Sequence, residues 1–428
     1  MRIAEAIPQR RASFTIIYQE KLLMSRVERL ALYVALTALT AFAIDGVLPT
    51  MPMIESAFDA ESSFSGAQII TTFVLGMVVG ELVIGPISDA LGRRPAVIAG
   101  LIVFVIGTVV AATADNFAAV IIGRFIQGIG VTGPKIGTRA MIRDRYEGAD
   151  MAKIMSVIFT LLVVVPMIAP ALGALIAAVA GWRGVFWSYL MLAAGLGAWL
   201  WLRHPETLPV EKRVPLSPRR LWQNFRKMLF RMNVMPIVIA TGFVFGAQLT
   251  YFAVAANLFG AVYGVSAMMP VFFALLATGT ALALMLNVWV VGRTGMEAPI
   301  FAGILVLGLS GTGLLVAAVL YGGHPPLAIL LGLTWFGFFA LGLLFGNLNA
   351  FAMRPLGDLA GLGSSFIASV SSLVAFVFAS VVETVVGAPV WALAWAFTLA
   401  APLSAFFILL AIPACSRKQF YQNIRNRK

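Results

Sequence analysis

The sequence predicts an all-α integral membrane protein with twelve transmembrane helices in two halves of six. Three observations lead to this prediction. Of the 428 residues, 61% are apolar and only 11% are charged, a composition far outside that of soluble globular proteins. The apolar runs are long enough to cross ~30 Å of hydrocarbon at ~1.5 Å per residue, and too long for barrel strands. Backbone groups in lipid must be paired within their own segment, so these runs are predicted to be helices.

The distribution of basic residues predicts the topology. A net charge of +12 could suggest nucleic-acid binding, but 27 of the 30 Lys and Arg fall in six segments between apolar runs. By the positive-inside rule these segments are cytoplasmic, as are both termini, which requires an even number of spans. The basic excess is therefore a topology signal, helped by attraction to anionic membrane lipids, and no nucleic-acid partner is expected. The first 28 residues lack a cleavage site and are interpreted as a cytoplasmic arm, not a signal peptide.

The spans are predicted in chain order at 30–48, 65–87, 96–114, 117–142, 151–180, 184–202, 232–260, 267–291, 298–321, 325–352, 361–385 and 388–412. The segment 203–231 contains four prolines and eight basic residues, which favours an exposed cytoplasmic linker. It divides the chain into a cytoplasmic arm (1–29), a first six-helix bundle (30–202), a second six-helix bundle (232–413) and a basic cytoplasmic tail (414–428).

The turn predicted between spans 2 and 3 has the most specific spacing in the chain. It reads Gly-Pro-Ile-Ser-Asp-Ala-Leu-Gly-Arg-Arg-Pro over residues 85–95. Asp89 and Arg93 are four apart, close enough to pair, and the glycines and prolines allow a sharp reversal. Gly92-Arg93 recurs as Gly292-Arg293, with Trp289 where an aspartate would stand. This weak repeat predicts two related halves with a binding site between them near the bilayer midplane.

Two charged residues of the first half are predicted to reach a similar depth in the membrane. Asp45 lies 16 residues past Arg29, or ~24 Å along a helix. Arg124 enters span 4 from the opposite surface and reaches about the same level. Ionisable residues inside a membrane are costly and are functional candidates. The alternative for Asp45 is a structural aspartate bonded to backbone near the break at 46–49.

Glu81 and Lys135 are predicted nearer the cytoplasm. Glu81, in the inner third of span 2, is either a second titrating group or the buried partner of a cation. Lys135 is expected to extend its side chain towards the cytoplasmic surface. The alternative is an ion pair with Glu81.

The second half differs chemically from the first. Between residues 233 and 353 the only charged residues are Arg293 and Glu297, so a cavity wall here must be aromatic, amide or apolar. Span 5 carries Pro166 and Pro170 four apart, which predicts a kink. Together with polar residues of span 4, the candidate substrate-cavity residues are Gln127, Lys135, Pro166, Pro170, Gln248, Tyr251, Asn257, Trp335 and Asn347. This supply of side chains predicts lipophilic or amphipathic cargo.

The pattern at 85–95 resembles the signature loop of the major facilitator superfamily. Further segments narrow the resemblance to the bicyclomycin-resistance (Bcr/CflA) type of drug:proton antiporter: Asp45 with Pro49 and Pro52, Arg124-x-x-Gln127-Gly128, Arg143-Asp144, Ala169-Pro170-x-x-Gly173 and Gly181-Trp182-Arg183. The resemblance implies export of amphipathic small molecules from the bacterial cytoplasm, driven by inward proton flow. It also implies that Asp45 and Arg124 belong to the coupling site and that span 5 carries the antiporter motif. The chain departs from such relatives at Ala169 and Ala174, where glycine is usual, and at Thr37, where a second acid can stand.

A coupling mechanism and a conformational gate follow as hypotheses. Low dielectric favours the protonated form of Asp45, whereas a nearby arginine favours the ionised form. Arginine itself does not titrate, so Asp45 is predicted to carry the proton and Arg124 to tune it, with Glu81 the next carboxylate to consider. Asp89 is expected near Arg93 and the start of span 11 at 361–364. The predicted gate residues are Gly85, Asp89, Gly92, Arg93, Arg94 and Asp144, the last accepting from Arg93 or Arg94.

Three functions compete at this level. They are a proton-coupled exporter, a proton-coupled transporter of a specific metabolite in either direction, and a non-transporting receptor or scaffold. An enzyme is not expected, because no nucleophile–base set, phosphate loop or metal cluster is recognised. The single cysteine excludes an intramolecular disulfide, and both histidines fall in predicted loops, so no metal and no cofactor is expected. We expect a monomer of the bacterial inner membrane, with protons, a small-molecule substrate and lipids as its partners.

Overall fold

The computed structural model describes residues 24–58, 66–146, 148–217, 226, 234–354 and 360–425, without most side chains of 148–167 and without those of 360–362 and 412–425. Within these residues, eleven helical segments are long and apolar enough to cross a membrane. One of them belongs to the helix Gly148–Arg203, which bends sharply at Gly181, where φ is 67°. Counted as two arms, it brings the described helices to the predicted twelve.

Numbered along the chain, these helices are α1 Arg26–Asp45, α2 Ala67–Leu91, α3 Arg93–Ala112, α4 Phe117–Arg145, α5 148–180, α6 182–203, α7 Met235–Asn257, α8 Met269–Thr294, α9 Glu297–Leu320, α10 Leu327–Met353, α11 Ala360–Val386 and α12 Pro389–Arg425. We call α1–α6 the first half and α7–α12 the second half. Helix α12 continues into the segment that was predicted to be a separate tail. The division of the chain at 203–231 stays a prediction, because 218–225 and 227–233 lie outside the described residues.

Side-chain caps decide where two helices of the first half begin. The Ser25 hydroxyl accepts from the Glu28 amide at 3.0 Å and starts α1. The Asn116 side chain accepts from the Ala119 amide at 2.8 Å and starts α4. Both side chains satisfy amides that have no partner within the helix. Helix α1 ends at Asp45, and the chain continues through a short 3₁₀ turn, Leu48–Thr50, into the short helix Met51–Ala57.

The turn between α2 and α3 is much shorter than the predicted eleven residues. Helix α2 continues to Leu91, α3 begins at Arg93, and Gly92 alone takes a positive φ, 112°. The prediction was wrong in extent because Gly92 reverses the chain by itself, so the residues on both sides of it stay helical. Pro95 lies in the first turn of α3, where its missing N–H removes no helical hydrogen bond.

Glycines set the closest helix crossings. A Cβ atom at Gly76 of α2 would overlap the Phe125 carbonyl of α4, and one at Gly128 would overlap the Phe73 carbonyl. Between the halves, α2 packs against α11, and α8 packs against the helix Gly148–Arg203. We call the end of the molecule that carries Gly92 the Gly92 end, and the opposite end, which carries the turn Leu48–Thr50, the Pro49 end. The turn Leu48–Thr50 contacts α7, so the halves meet at both ends.

Candidate functional site

Asp45 is the last residue of α1 and is buried between the halves. The residue is only 2% exposed, and its Oδ1 atom has no hydrogen-bond partner among the described residues. The next residue, Gly46, touches α5 so closely that a Cβ atom at Gly173 would overlap the Gly46 carbonyl oxygen. The glycine of the Ala-Pro-x-x-Gly segment therefore allows α5 to press directly against the backbone that follows the aspartate.

Arg124 is fully buried in α4 and is fixed by three contacts. Its Nε donates to the Ile69 carbonyl at 3.0 Å, one terminal nitrogen donates to Gln127 Oε1 at 2.9 Å, and its guanidinium lies 4.2 Å from the centre of the Phe73 ring. Gln127 in turn donates to Thr108 Oγ1 at 2.7 Å. The close crossing of α2 and α4 brings the Ile69 carbonyl within reach. The second terminal nitrogen, Nη2, has no partner among the described residues.

Asp45 and Arg124 are separated in this conformation. No ion pair within 4.0 Å joins them, although both are described and buried. Of the two arrangements expected from the sequence, paired and separated, the structure holds the separated one. The Tyr189 hydroxyl of α6 is buried and lies within electrostatic range of both groups. Sequence reasoning missed Tyr189, because one tyrosine in an apolar helix cannot be told from a core aromatic.

The second half contributes Tyr251 to the same region. This residue of α7 is fully buried, its hydroxyl has no partner among the described residues, and it lies within electrostatic range of Asp45. Its ring packs against Phe338 at 4.9 Å and Phe273 at 5.3 Å between centroids. An uncharged aromatic wall of the second half therefore lies within electrostatic range of Asp45.

The remaining predicted cavity residues differ in burial and in their contacts. Pro170 is buried, Gln248 and Asn257 are half-buried, and the side chain of Pro166 lies outside the described residues. Trp335 and Asn347 connect α10 to α8, through Thr278 Oγ1 at 2.9 Å and Asn287 Oδ1 at 2.6 Å. These two therefore hold the second half together in this conformation.

Glu81 and Lys135 form a buried ion pair on the side of the molecule nearer the Gly92 end. Lys135 Nζ lies 2.5 Å from Glu81 Oε1, with side-chain exposures of 18% and 0%. The prediction that Lys135 extends to the surface was wrong, because the close approach of α2 and α4 places the carboxylate within its reach. Glu81 Oε2 also accepts from Ser372 of α11 at 3.1 Å, and Ser369 donates to the Val78 carbonyl at 2.9 Å. Glu81 thus bonds to both halves.

Arg93 bonds to two other predicted gate residues, Asp89 and Asp144. It forms ion pairs with Asp89 and, at 2.8 Å, with Asp144 of α4, and it donates to Ser88 Oγ at 3.2 Å. Arg94 instead donates to the Trp201 carbonyl, and its guanidinium lies 4.8 Å from the centre of that ring. A cavity of about 30 Å³, lined partly by Gly85, Asp89 and Arg93, extends to Ser364, Ser365 and Ala368 of α11.

Glu206 is a further residue of this network that the sequence did not reveal. Its Oε1 accepts from the Arg93 amide at 2.9 Å and its Oε2 from the Arg94 amide at 3.1 Å, so it caps the start of α3. The Val214 amide donates to the Asp89 carbonyl at 3.0 Å. The described part of the linker is therefore bonded to the turn at Gly92. A single acid in a mixed-charge linker carries no sequence signal for such a contact.

Comparison with known proteins places this geometry in a family. A family model described as the Major Facilitator Superfamily matches residues 33–379. The uncharacterized MFS-type transporter YdgK of Bacillus subtilis is 27% identical over 90% of this chain and 94% of its own length. A bicyclomycin resistance protein homolog of Haemophilus influenzae is 28% identical over 81% of this chain and 86% of its own length. The crystal structure of the human organic anion transporter MFSD10 (TETRAN) superposes with a TM-score of 0.67 and 21% identity, covering 90% of this chain and 100% of that one.

Proposed function

The chain belongs to the major facilitator superfamily, and on that premise we propose that it exports amphipathic small molecules in exchange for protons. The relative named for bicyclomycin resistance supports this proposal. The Gly92 end then faces the cytoplasm, with both termini on that side of the bacterial inner membrane. The basic segments support this orientation.

One observation carries the proposal. Asp45 is buried at the contact between the halves and has no cation partner among the residues that the structure describes, while Arg124 is held by a carbonyl, an amide and a ring. A buried carboxylate without compensation is costly, so this arrangement suits the neutral, protonated carboxyl. A scaffold or receptor has no use for such a group, whereas a proton-coupled transporter needs a carboxyl that gains and loses its proton.

Exchange of cargo for protons follows if the site at Asp45 can hold a proton or cargo but not both at once. Bound cargo favours the arrangement in which Asp45 is ionised and Arg124 compensates it. Proton binding favours the separated arrangement. Each ligand shifts the equilibrium only by its difference in affinity for the two arrangements, so reciprocal exclusion of proton and cargo is the thermodynamic basis of antiport.

The cargo class follows from the facing walls. The second half is uncharged at the level of Tyr251, which packs among phenylalanines. Such a wall suits apolar or aromatic surface with a few hydrogen-bonding groups. Saturable transport of a highly polar sugar, unaffected by amphipathic competitors, would contradict this part of the proposal.

The test is proton-driven transport in proteoliposomes with a panel that includes chloramphenicol and tetraphenylphosphonium. Asp45→Asn is expected to abolish uphill transport under a pH gradient while leaving cargo binding measurable. Asp115→Asn, which changes an exposed carboxylate just before α4, is the matched control and is expected to transport normally. Uphill transport by Asp45→Asn at the normal rate would contradict the mechanism and make Glu81 the next carboxylate to examine.

A further inference from the structure

Tyr189 occupies a position that neither the ion pairs nor the gate explains. It is fully buried, and its hydroxyl has no hydrogen-bond partner among the described residues. Its ring is held edge-on by Phe42 of α1 at 5.1 Å and by Phe186 at 5.9 Å between centroids. The hydroxyl lies against the backbone that follows Asp45: a Cβ atom placed on Gly46 would be 2.9 Å from it. The phenol is thus rigidly placed beside the end of α1.

Two groups within electrostatic range of this hydroxyl also carry unsatisfied atoms. Asp45 Oδ1 and Arg124 Nη2 are buried and have no hydrogen-bond partner in the described part of the chain, and both residues lie within electrostatic range of Tyr189. They do not pair with each other. A phenol hydroxyl has one proton to donate and lone pairs to accept with, so it can donate to a carboxylate and accept from a guanidinium at the same time. An ionised carboxylate in its place could only accept and would add a charge.

We propose that Tyr189 is a positioning residue for proton coupling, which links ionised Asp45 to Arg124 by donating to the carboxylate and accepting from the guanidinium. The proposal rests on the proposed function, in which Asp45 carries the proton. When Asp45 is protonated, the link opens, as in the present structure. Loss of the proton closes it, so the aspartate and the arginine communicate without a direct ion pair.

Other ionisable groups around Tyr189 are few. From α1 the facing group is Asp45, from α4 it is Arg124, and from α7 the Tyr251 hydroxyl approaches Asp45. The remaining cations of α4 are Lys135, Arg139, Arg143 and Arg145, which all lie nearer the Gly92 end. Helices α3 and α8, which also pack on the helix Gly148–Arg203, carry arginines only in their end turns, at Arg93, Arg94 and Arg293. Tyr189 therefore lies within electrostatic range of both the aspartate and the arginine.

The test is an infrared pH titration of the protonated-carboxyl band of Asp45 in purified protein, identified by its loss in Asp45→Asn. Tyr189→Phe removes the hydrogen bond to the ionised carboxylate and is expected to raise the titration midpoint by about 1 pH unit, since such a bond is worth roughly 1.5 kcal/mol or more. Tyr33→Phe is the matched control on α1. It removes a buried hydroxyl bonded to His204 at 2.8 Å and is expected to leave the midpoint unchanged.

A second variant guards against a folding defect. Incorporation of 3,5-difluorotyrosine at position 189 keeps the ring and hydroxyl but makes the hydroxyl a stronger donor, so the midpoint is expected to fall. A merely structural role would change expression and thermal stability without moving the midpoint in either direction. A midpoint equal to that of the wild type in either variant overturns the proposal for Tyr189. An Asp45 band that does not titrate in the wild type overturns the proposed function as well.

Discussion

The turns that follow α2 and α8 occupy equivalent places in the two halves but use different chemistry. In the first, Asp89 and Arg93 form an ion pair four residues apart, and Arg93 is 6% exposed in its side chain. In the second, Trp289 and Arg293 have the same spacing, but the guanidinium lies 3.7 Å from the centre of the Trp289 ring, and Trp289 is 59% exposed. The reversal also moves, from Gly92 to Gly295, where φ is 80°.

Spacing alone therefore does not make a gate. Arg93 contacts α2 and α4, and its backbone amide is capped by Glu206 of the linker. The described partners of Arg293 amount to one neighbouring ring in its own helix. The contacts between helices inside the two halves differ in the same way. In the first half Glu81 and Lys135 form a buried ion pair, whereas in the second half α8 and α10 meet through the neutral amides of Asn287 and Asn347.

The largest expected effect, a loss of stability, comes from breaking the buried ion pair between Glu81 and Lys135. Lys135→Met leaves Glu81 buried without its cation and is expected to lower stability by about 3–5 kcal/mol. The double variant Lys135→Met with Glu81→Gln removes both charges and is expected to recover most of that loss. Thermal unfolding in detergent measures both. In the second half, Asn347→Leu breaks a neutral contact and is expected to cost only about 1–2 kcal/mol. An equal loss in both halves would contradict the comparison.

A pH effect of intermediate size is expected from His204, which follows α6, but not from His324 between α9 and α10. Burial lowers the pKa of His204 to about 4, below the ordinary value of about 6.5. The unfolded chain therefore binds more protons than the folded one between these values, and stability is lost as the pH falls from about 6.5 to about 4, by up to about 3 kcal/mol.

Two substitutions isolate this effect. His204→Gln is expected to flatten the fall in melting temperature between pH 7 and pH 4. His324→Gln, at an exposed position in the second half, is expected to leave the profile unchanged. Identical profiles for His204→Gln and the wild type would exclude the buried imidazole as the source.

A smaller shift is expected at the gate. Asp89→Asn weakens the contacts of Arg93 and is expected to move the population towards the state open at the Gly92 end by about 1–3 kcal/mol, the usual range of coupling energies. Accessibility labelling of single cysteines placed at the Gly92 and Pro49 ends, in protein lacking Cys415, measures the two openings. Unchanged labelling at both ends would refute a gating role for Asp89.

The smallest effect is expected from restoring the missing acid in the second half. Trp289→Asp recreates the spacing of the first half, but both side chains there are solvent-exposed, so the pair is expected to contribute at most about 1 kcal/mol. The same labelling assay is expected to show no shift of opening. A shift as large as that of Asp89→Asn, in the opposite direction, would show that spacing alone is sufficient.

The amino-acid sequence was sufficient to predict the class of fold, the number of spans, the position of the turn at Gly92 and the two buried groups Asp45 and Arg124. Each depends on a local property. A run of apolar residues must form a helix in lipid, and a charge inside such a run is conspicuous wherever it stands. The caps at Ser25 and Asn116 are local as well, since the residues involved are three apart.

Which side chains contact each other could not be predicted from the sequence and depends on the packing of the helices. The pairing of Lys135 with Glu81, the bond from Ser372 to the same carboxylate, and the placement of Tyr189 and Glu206 depend on how each helix is rotated and how closely it crosses its neighbours. Many helices here are apolar on most faces, so periodicity in the sequence does not reveal their rotation. The crossing distances depend on glycine contacts between distant segments, such as Gly46 with Gly173, and those contacts exist only once the helices are packed.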